Sequence, residues 1–475
     1  MRSFDLQIGD STVKRSPKTP IKSPYDGTPV SEAVFAGPEE IESAIKSACN
    51  AFPTISRMPA HKRSQILRKI SEGIAGRIDD LALAICEESG KPVTLARIEA
   101  ERAVSTFSVA AEEALRIEGD LLPLDRSPIG EGRMGLLRRF PIGPIVAITP
   151  FNFPLNLVAH KVAPAIAAGN SIIVKPSSQT PSAALMLMEI ARDGGLPPGV
   201  LNVVPCPGHI AETMVSDPRL KMLTFTGSAD TGWALKGRAG RKRVTLELGG
   251  NAGAIVGPDA NMEEAASKLA FGAFANAGQV CISVQRIFVH ESIVRAFTDY
   301  FTFYVKRNIV CGNPKDPGVT CGPIIDTANA DRIQRWIKDA VDHGARILCG
   351  GERKGNVIAP TVLTEVDPAL DIVRKEAFGP VVSIASYRSF DETITAVNDS
   401  DYGLQAGVFT RDVEKLMKAF RELEVGAVIH NDGPTFRVDS MPYGGTKGSG
   451  LGREGLRYAI EEMTEPRLLV LRERT

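Results

Sequence analysis

Apolar positions along the chain follow two rhythms. From Pro38 to about Gly119 they recur at three and four: Ile41, Ala44, Ile45 and Ala48, then Leu67, Ile70 and Ile74. That spacing lines one face of an α-helix and predicts a helical layer. Residues 1–35 alternate polar and turn-forming residues, as in Ser16-Pro17-Lys18-Thr19-Pro20, and predict short edge strands and turns. Leu121 to Phe140 is rich in proline and glycine and closes on Leu136-Leu137-Arg138-Arg139-Phe140, which predicts a projecting β-hairpin.

From Ile145 short apolar runs alternate with helical patterns. Strands are predicted at Ile145–Thr149, Ser171–Lys175, Leu201–Val204, Met222–Phe225 and Val244–Leu248. Helices are predicted between them at Leu155–Ala168, Ser182–Asp193, Ile210–Ser216 and Ala229–Ala239. This alternation predicts a parallel, doubly wound sheet, which takes ligands at the carboxyl ends of its strands. After Asn261 a second α/β pattern begins. It has helices at Met262–Ala277, Ile293–Asn308 and Thr327–His343, and strands at Gln285–Val289, near Ile358–Leu363 and at Val381–Tyr387. The tail, Arg457–Thr475, reads as a helix and then an edge strand, Arg467–Leu471.

The stretch Phe274 to Val289 places one thiol, Cys281, between a helix-like and a strand-like run. Gly278 offers a left-handed stop for the helix, which puts the thiol on a turn. A thiolate there is a strong nucleophile; the plainer reading is a small buried apolar residue.

Composition narrows the classes. Lys+Arg and Asp+Glu number 56 each, so net charge supplies no attraction to nucleic acid or an anionic membrane. No apolar run is long enough to span a bilayer, and Met1-Arg2-Ser3-Phe4-Asp5 lacks a secretory core. Seven Cys are scattered with no CxxC, and the His lack metal spacing. That usage suits reduced thiols in a cytosol and no metal site.

Four stretches fall where the first sheet would place ligands. Asn152, in Thr149-Pro150-Phe151-Asn152-Phe153-Pro154, offers an amide N–H to an oxyanion or is a turn residue between prolines. Lys175, before Pro176-Ser177-Ser178, reaches a ribose or phosphate oxygen or is a solvated strand end. Phe225-Thr226-Gly227-Ser228 opens a helix whose N-terminus suits a pyrophosphate, though it is not GxGxxG. Glu247, before Leu248-Gly249-Gly250, is a candidate general base or an ion-paired surface Glu.

In this order, and followed by Gly278-Gln279-Val280-Cys281, these stretches closely resemble the aldehyde dehydrogenase superfamily. The match continues through Glu376-Ala377-Phe378-Gly379-Pro380 and Pro442-Tyr443-Gly444-Gly445-Thr446-Lys447 to Ser449-Gly450-Leu451-Gly452-Arg453-Glu454-Gly455. The resemblance implies a Rossmann-like dinucleotide-binding domain (1–120 and 141–248), an α/β catalytic domain (249–446) and a small β oligomerisation element (121–140 and 456–475). It implies a homodimer or homotetramer, an aldehyde substrate, and NADP or NAD as cofactor. Cys281 would attack the aldehyde, Asn152 and the Cys281 N–H would hold the oxyanion, and Glu247 would activate water against the resulting thioester. Lys175 and Ser178 would face the adenosine ribose and Gly227 and Ser228 the pyrophosphate. Glu376 would bind the nicotinamide ribose and Phe378 pack on the nicotinamide side. Phe151, where a Trp is common, is counted with the cofactor residues.

Departures sharpen these expectations. Ser178 stands where NAD-preferring members often carry Glu, so NADP is expected to be tolerated or preferred. Val280 replaces the Arg some members use against phosphate- or sulfonate-bearing aldehydes. Arg102 and Arg437 are read as surface or interdomain ion pairs, with contact to an acidic substrate tail as the alternative. Succinate semialdehyde, lactaldehyde and glyceraldehyde-like substrates all remain open. The competing functions are a coenzyme A-acylating enzyme, which would not need Glu247, and a non-catalytic binding member of the family. A cysteine hydrolase would need His290 to face the thiol, which strand alternation disfavours.

Overall fold

The computed structural model describes residues 1–472. Five short strands open the chain, followed by helices at Pro38–Ser56, Ala60–Ala75, Ile78–Ser89 and Val93–Glu113. Their buried stripes include Ile41, Ala44, Ile45 and Ala48 on the first and Leu67, Ile70 and Ile74 on the second, the positions spaced at three and four. Burying each Ile or Leu fully contributes about 1.5–3 kcal/mol, enough to hold the layer on the sheet beneath.

That sheet has six strands in the order 201–203, 172–175, 145–148, 222–226, 243–247, 450–451. All neighbours run parallel except the last pair. Its interior strands are buried on both faces, which is why they read as continuous apolar runs rather than alternating ones. Chain order reverses between Ile145–Ile148 and Met222–Thr226, creating the crevice at the carboxyl ends where open α/β sheets bind ligands. All four chemistry-bearing stretches end up along that edge.

A seven-stranded sheet carries the second unit, in the order 346–349, 361–364, 381–387, 284–290, 252–256, 405–409, 427–430. An interior strand, Ala252–Val256, precedes Asn261, where the second α/β pattern was read to begin, and lies within the expected 249–446 domain. Only its last two residues, Ile255 and Val256, are β-branched, yet all five are buried in the sheet interior. Helices at Phe390–Asn398 and Val413–Glu422, between and after short strands, also escaped the sequence reading.

The helix expected to run to Ala277 ends at Phe274. Asn276 and Ala277 each take φ 54°, and Gly278 takes φ 66°. The left-handed stop is therefore three residues long, and two of them pay steric strain for it.

A third sheet joins Asp120–Pro123, Arg133–Pro141 and Thr464–Arg472, so the expected hairpin is present. The tail strand pairs along one edge with Arg133–Pro141 of its own chain, antiparallel, and its other edge has no partner among the described residues. The end of the predicted tail, 473–475, lies outside the described residues. No helix among the described residues is long and apolar enough to cross a membrane.

Candidate active site

The strained turn is locked from below. The Asn276 N–H donates to the Thr320 carbonyl at 3.1 Å. The Gln279 side chain donates to the carbonyls of Asn276 (3.2 Å) and Pro323 (3.1 Å) and accepts from the Ile325 N–H (2.9 Å). Every polar atom of this buried amide is engaged, so the turn has one arrangement. It carries Cys281 against the end of the first sheet. A Cβ added at Gly250 would lie 2.3 Å from the Cys281 carbonyl oxygen, so only glycine permits this approach.

Asn152 meets the turn from the other side. Its Nδ2 donates to the Gln279 carbonyl at 2.9 Å, which spends one of its two N–H groups. Its loop is fixed by a buried ion pair, Lys91 with Glu99. Glu99 accepts from the N–H groups of Leu155 (2.9 Å) and Asn156 (3.1 Å), where a carboxylate suits a helix start. The Lys91 ammonium lies 3.6 Å from the centroid of the Phe153 ring.

The Cys281 Sγ lies 2.9 Å from the Tyr443 hydroxyl. Burial pushes the thiol up to about 11, opposed by the Tyr443 hydrogen bond and the Arg437 charge. The Cys281 N–H makes no hydrogen bond among the described residues. Glu247 is buried, and neither of its carboxylate oxygens has a protein partner. Burial holds its carboxyl well above the usual range, and repulsion from Glu454 adds to that. Glu247 is therefore not the ion-paired surface residue that was the alternative.

Glu376 accepts from the Gly250 N–H at 3.0 Å and is pushed up to about 7 by burial. Phe378, at φ 46°, sets its ring edge-on to Phe151 with centroids 5.9 Å apart. His290 hydrogen-bonds Ser292 and packs on Tyr387, away from the thiol.

A cleft of about 260 Å³ opens at the switch point, lined by Phe151, Lys175, Ser177, Gly227 and Thr231 among others. Burial lowers the Lys175 ammonium from its ordinary value. Ser178 donates its hydroxyl to the Cys206 carbonyl at 3.0 Å, and it is its neighbour Ser177 that lines the cleft. Ser228 precedes the helix Ala229–Arg238, its hydroxyl bonded to Thr231 at 2.9 Å. Thr149, Asn152, Thr226 and Glu247, all at these strand ends, each keep at least one buried polar atom without a protein partner. Buried polar groups are almost always satisfied, so this cluster fits a polar ligand seated along the strand ends.

Arg437 is an ion pair as expected, but a buried one rather than one at the surface. Its side chain is 8% exposed, donates to Glu454 at 3.1 Å and lies 3.6 Å over the Tyr443 ring. Lys161 holds the other Glu454 oxygen at 3.0 Å. Arg102 is an ion pair as expected, to Asp439 at 2.7 Å, and Asp439 also meets His160 (2.8 Å) and Asn156 (3.1 Å). Sequence reading missed Lys161, Tyr443, Glu454 and Asp439. Tyr443 and Glu454 stood inside quoted motifs, but nothing in the spacing showed that the segment folds back over Cys281. A larger cavity, about 360 Å³ over the second sheet, is lined by Arg286. The two terminal nitrogens of that guanidinium donate to the carbonyls of Asn251, Ala396 and Val397.

A cysteine turn thus meets a side-chain amide and a buried carboxyl beside a doubly wound crevice. The chain belongs to the aldehyde dehydrogenase family, whose model matches residues 12–469. It is similar to a 3-sulfolactaldehyde dehydrogenase of Priestia megaterium, 43% identical over 472 residues, covering 99% of this chain and 98% of that one. Aldehyde dehydrogenase 21 from Physcomitrella patens, solved with the reaction product succinate, superposes with a TM-score of 0.97 at 40% identity, covering 99% and 98% of the two chains. A glyceraldehyde-3-phosphate dehydrogenase from Methanocaldococcus jannaschii, solved with NADP, gives a TM-score of 0.92 at 36% identity, covering 96% and 100%. The protein is an NAD(P)-dependent aldehyde dehydrogenase.

Proposed function

We propose that Cys281 is the nucleophile, Asn152 the oxyanion donor and Glu247 the base that hydrolyses the thioester, acting on a short aldehyde with an anionic far end. The carrying observation is that the turn sets Cys281 beside Asn152, with one amide N–H unspent, while Glu247 stands nearby with both oxygens free. The thiolate sulfur attacks the aldehyde carbon. The resulting oxyanion lies between the second Asn152 N–H and the backbone N–H of Cys281, a pair of donors fixed before the reaction. Bound NAD or NADP supplies the hydride acceptor. Lys175, Ser177 and Gly227 border the cleft that would take its adenosine end, and Glu376 and Phe378 approach from the other domain. Glu247 takes a proton from a water that attacks the thioester carbon, releasing the acid and the thiol. Steady-state kinetics on an aldehyde panel with both cofactors test this reading. kcat/KM is expected to be at least as high with NADP as with NAD, because no carboxylate stands at Ser178 to repel a 2′-phosphate. A preference for NAD above about tenfold (roughly 1.4 kcal/mol) would remove that part.

The anionic tail is supported by Arg437 beside Tyr443, with its Nε unpartnered, and by a second cation, Arg102, paired with Asp439. The relatives named for 3-sulfolactaldehyde and solved with succinate agree with such a tail. Succinate semialdehyde is expected to outperform lactaldehyde and glyceraldehyde. Arg102→Ala is expected to raise KM for succinate semialdehyde about 10- to 100-fold, the worth of one charge-assisted hydrogen bond, and to leave lactaldehyde nearly unchanged. Equal losses on both substrates would contradict the assignment.

A homodimer, or a tetramer built from dimers, is supported by the tail strand. Leu468, Leu469, Val470 and Leu471 are 42–55% exposed in sequence, an apolar edge that soluble proteins cover. Leu469→Asp is expected to yield a smaller species by light scattering; an unchanged mass would count against this edge.

A further inference from the structure

Tyr443 stands in Pro442-Tyr443-Gly444-Gly445, a motif to which the reaction above gives no task. We infer that the Tyr443 hydroxyl is a positioning donor that holds the Cys281 thiolate in place before the aldehyde arrives, and that the Arg437 guanidinium on its ring strengthens this donation. The inference rests on Cys281 being the nucleophile.

The sulfur and the phenol oxygen are 2.9 Å apart. A thiolate has no proton to give, so in the reactive form the hydroxyl must be the donor. The phenol keeps its proton throughout: burial first, then the Cys281 charge, holds it well above its ordinary value. Its ring cannot swing away. It is 3% exposed and capped by Arg437 at 3.6 Å. Arg437 is anchored by Glu454, which Lys161 also holds, so Lys161, Glu454, Arg437, Tyr443 and Cys281 form one continuous chain of contacts. A cation over an aromatic face draws electron density from the ring, which makes the hydroxyl a better donor.

The charges around the sulfur show why such a donor matters. Two carboxyls, Glu376 and Glu247, disfavour the thiolate. Burial opposes it more strongly still. Arg437 and the Tyr443 hydroxyl are the two groups that favour it. A phenylalanine here would keep the ring and its stacking and lose only the hydrogen bond.

The test is the pH profile of Cys281 alkylation by iodoacetamide, followed by mass spectrometry of the Cys281 peptide, in the wild type and in Tyr443→Phe. A hydrogen bond to a charged group corresponds to a shift of about one to two pH units. The midpoint is therefore expected to rise by that amount, with alkylation near neutral pH slowed about 10- to 100-fold. The kcat/KM profile is expected to move in the same direction while NADP binding stays unchanged. A Tyr443→Phe protein with the wild-type melting temperature and an unshifted alkylation profile would overturn the inference. Failure of the nucleophile reading looks different: Cys281→Ser would then turn over aldehyde, whatever Tyr443→Phe does.

Discussion

Cys281→Ser is expected to lower aldehyde-dependent formation of reduced cofactor by on the order of 10³-fold or more, with the melting temperature little changed. The size follows from the chemistry. A serine hydroxyl is far harder to ionise than a thiol, and no His faces residue 281 to take its proton. His290 is turned to Ser292 and Tyr387, and His160 is committed to Asp439. The turn itself should survive, because Gln279 and Asn276 hold it rather than the thiol. Activity in the variant within tenfold of wild type would mean that the hydride leaves from something other than a cysteine adduct.

Glu247→Gln is expected to produce one equivalent of reduced cofactor per site and then stall, with steady-state kcat down about 10²- to 10⁴-fold. Amide replaces carboxyl at nearly constant volume, so the buried site keeps its shape and loses only its base. The pH dependence follows in sign from the raised value of the native carboxyl. A base held above its ordinary range is protonated and idle at low pH. The deacylation rate of the wild type should therefore climb as pH rises through that raised value, and the variant should lose this climb. Coenzyme A separates the two chemistries. Wild-type turnover should proceed in water alone; turnover only on adding coenzyme A would make the enzyme acylating and leave Glu247 without the proposed task.

Much of this site could be read from the residue order, and the limits have physical causes. The first sheet was legible because its strands are buried on both faces and its helices carry glycine or proline stops, as at Gly169 and Gly194-Gly195. The four strand-end stretches followed, since a doubly wound sheet brings all its carboxyl ends to one edge. The interior strand Ala252–Val256 was lost because alanine and glycine carry little strand signal, and its place is set by neighbours distant in sequence. The end of the helix at Phe274 was misplaced because Asn276 and Ala277 adopt left-handed backbone that only tertiary hydrogen bonds sustain. Arg437 is the ion pair it was read as, but its burial was not legible, because that burial depends on Glu454, Lys161 and Tyr443 converging from three other segments.

The most direct measurement is the mass of the Cys281 peptide after Glu247→Gln protein is mixed with succinate semialdehyde and NADP and quenched in acid. The account predicts that this peptide gains the mass of the acyl group, in proportion to the burst of NADPH and at no other cysteine. NADPH formed in the burst with an unmodified Cys281 peptide would contradict it.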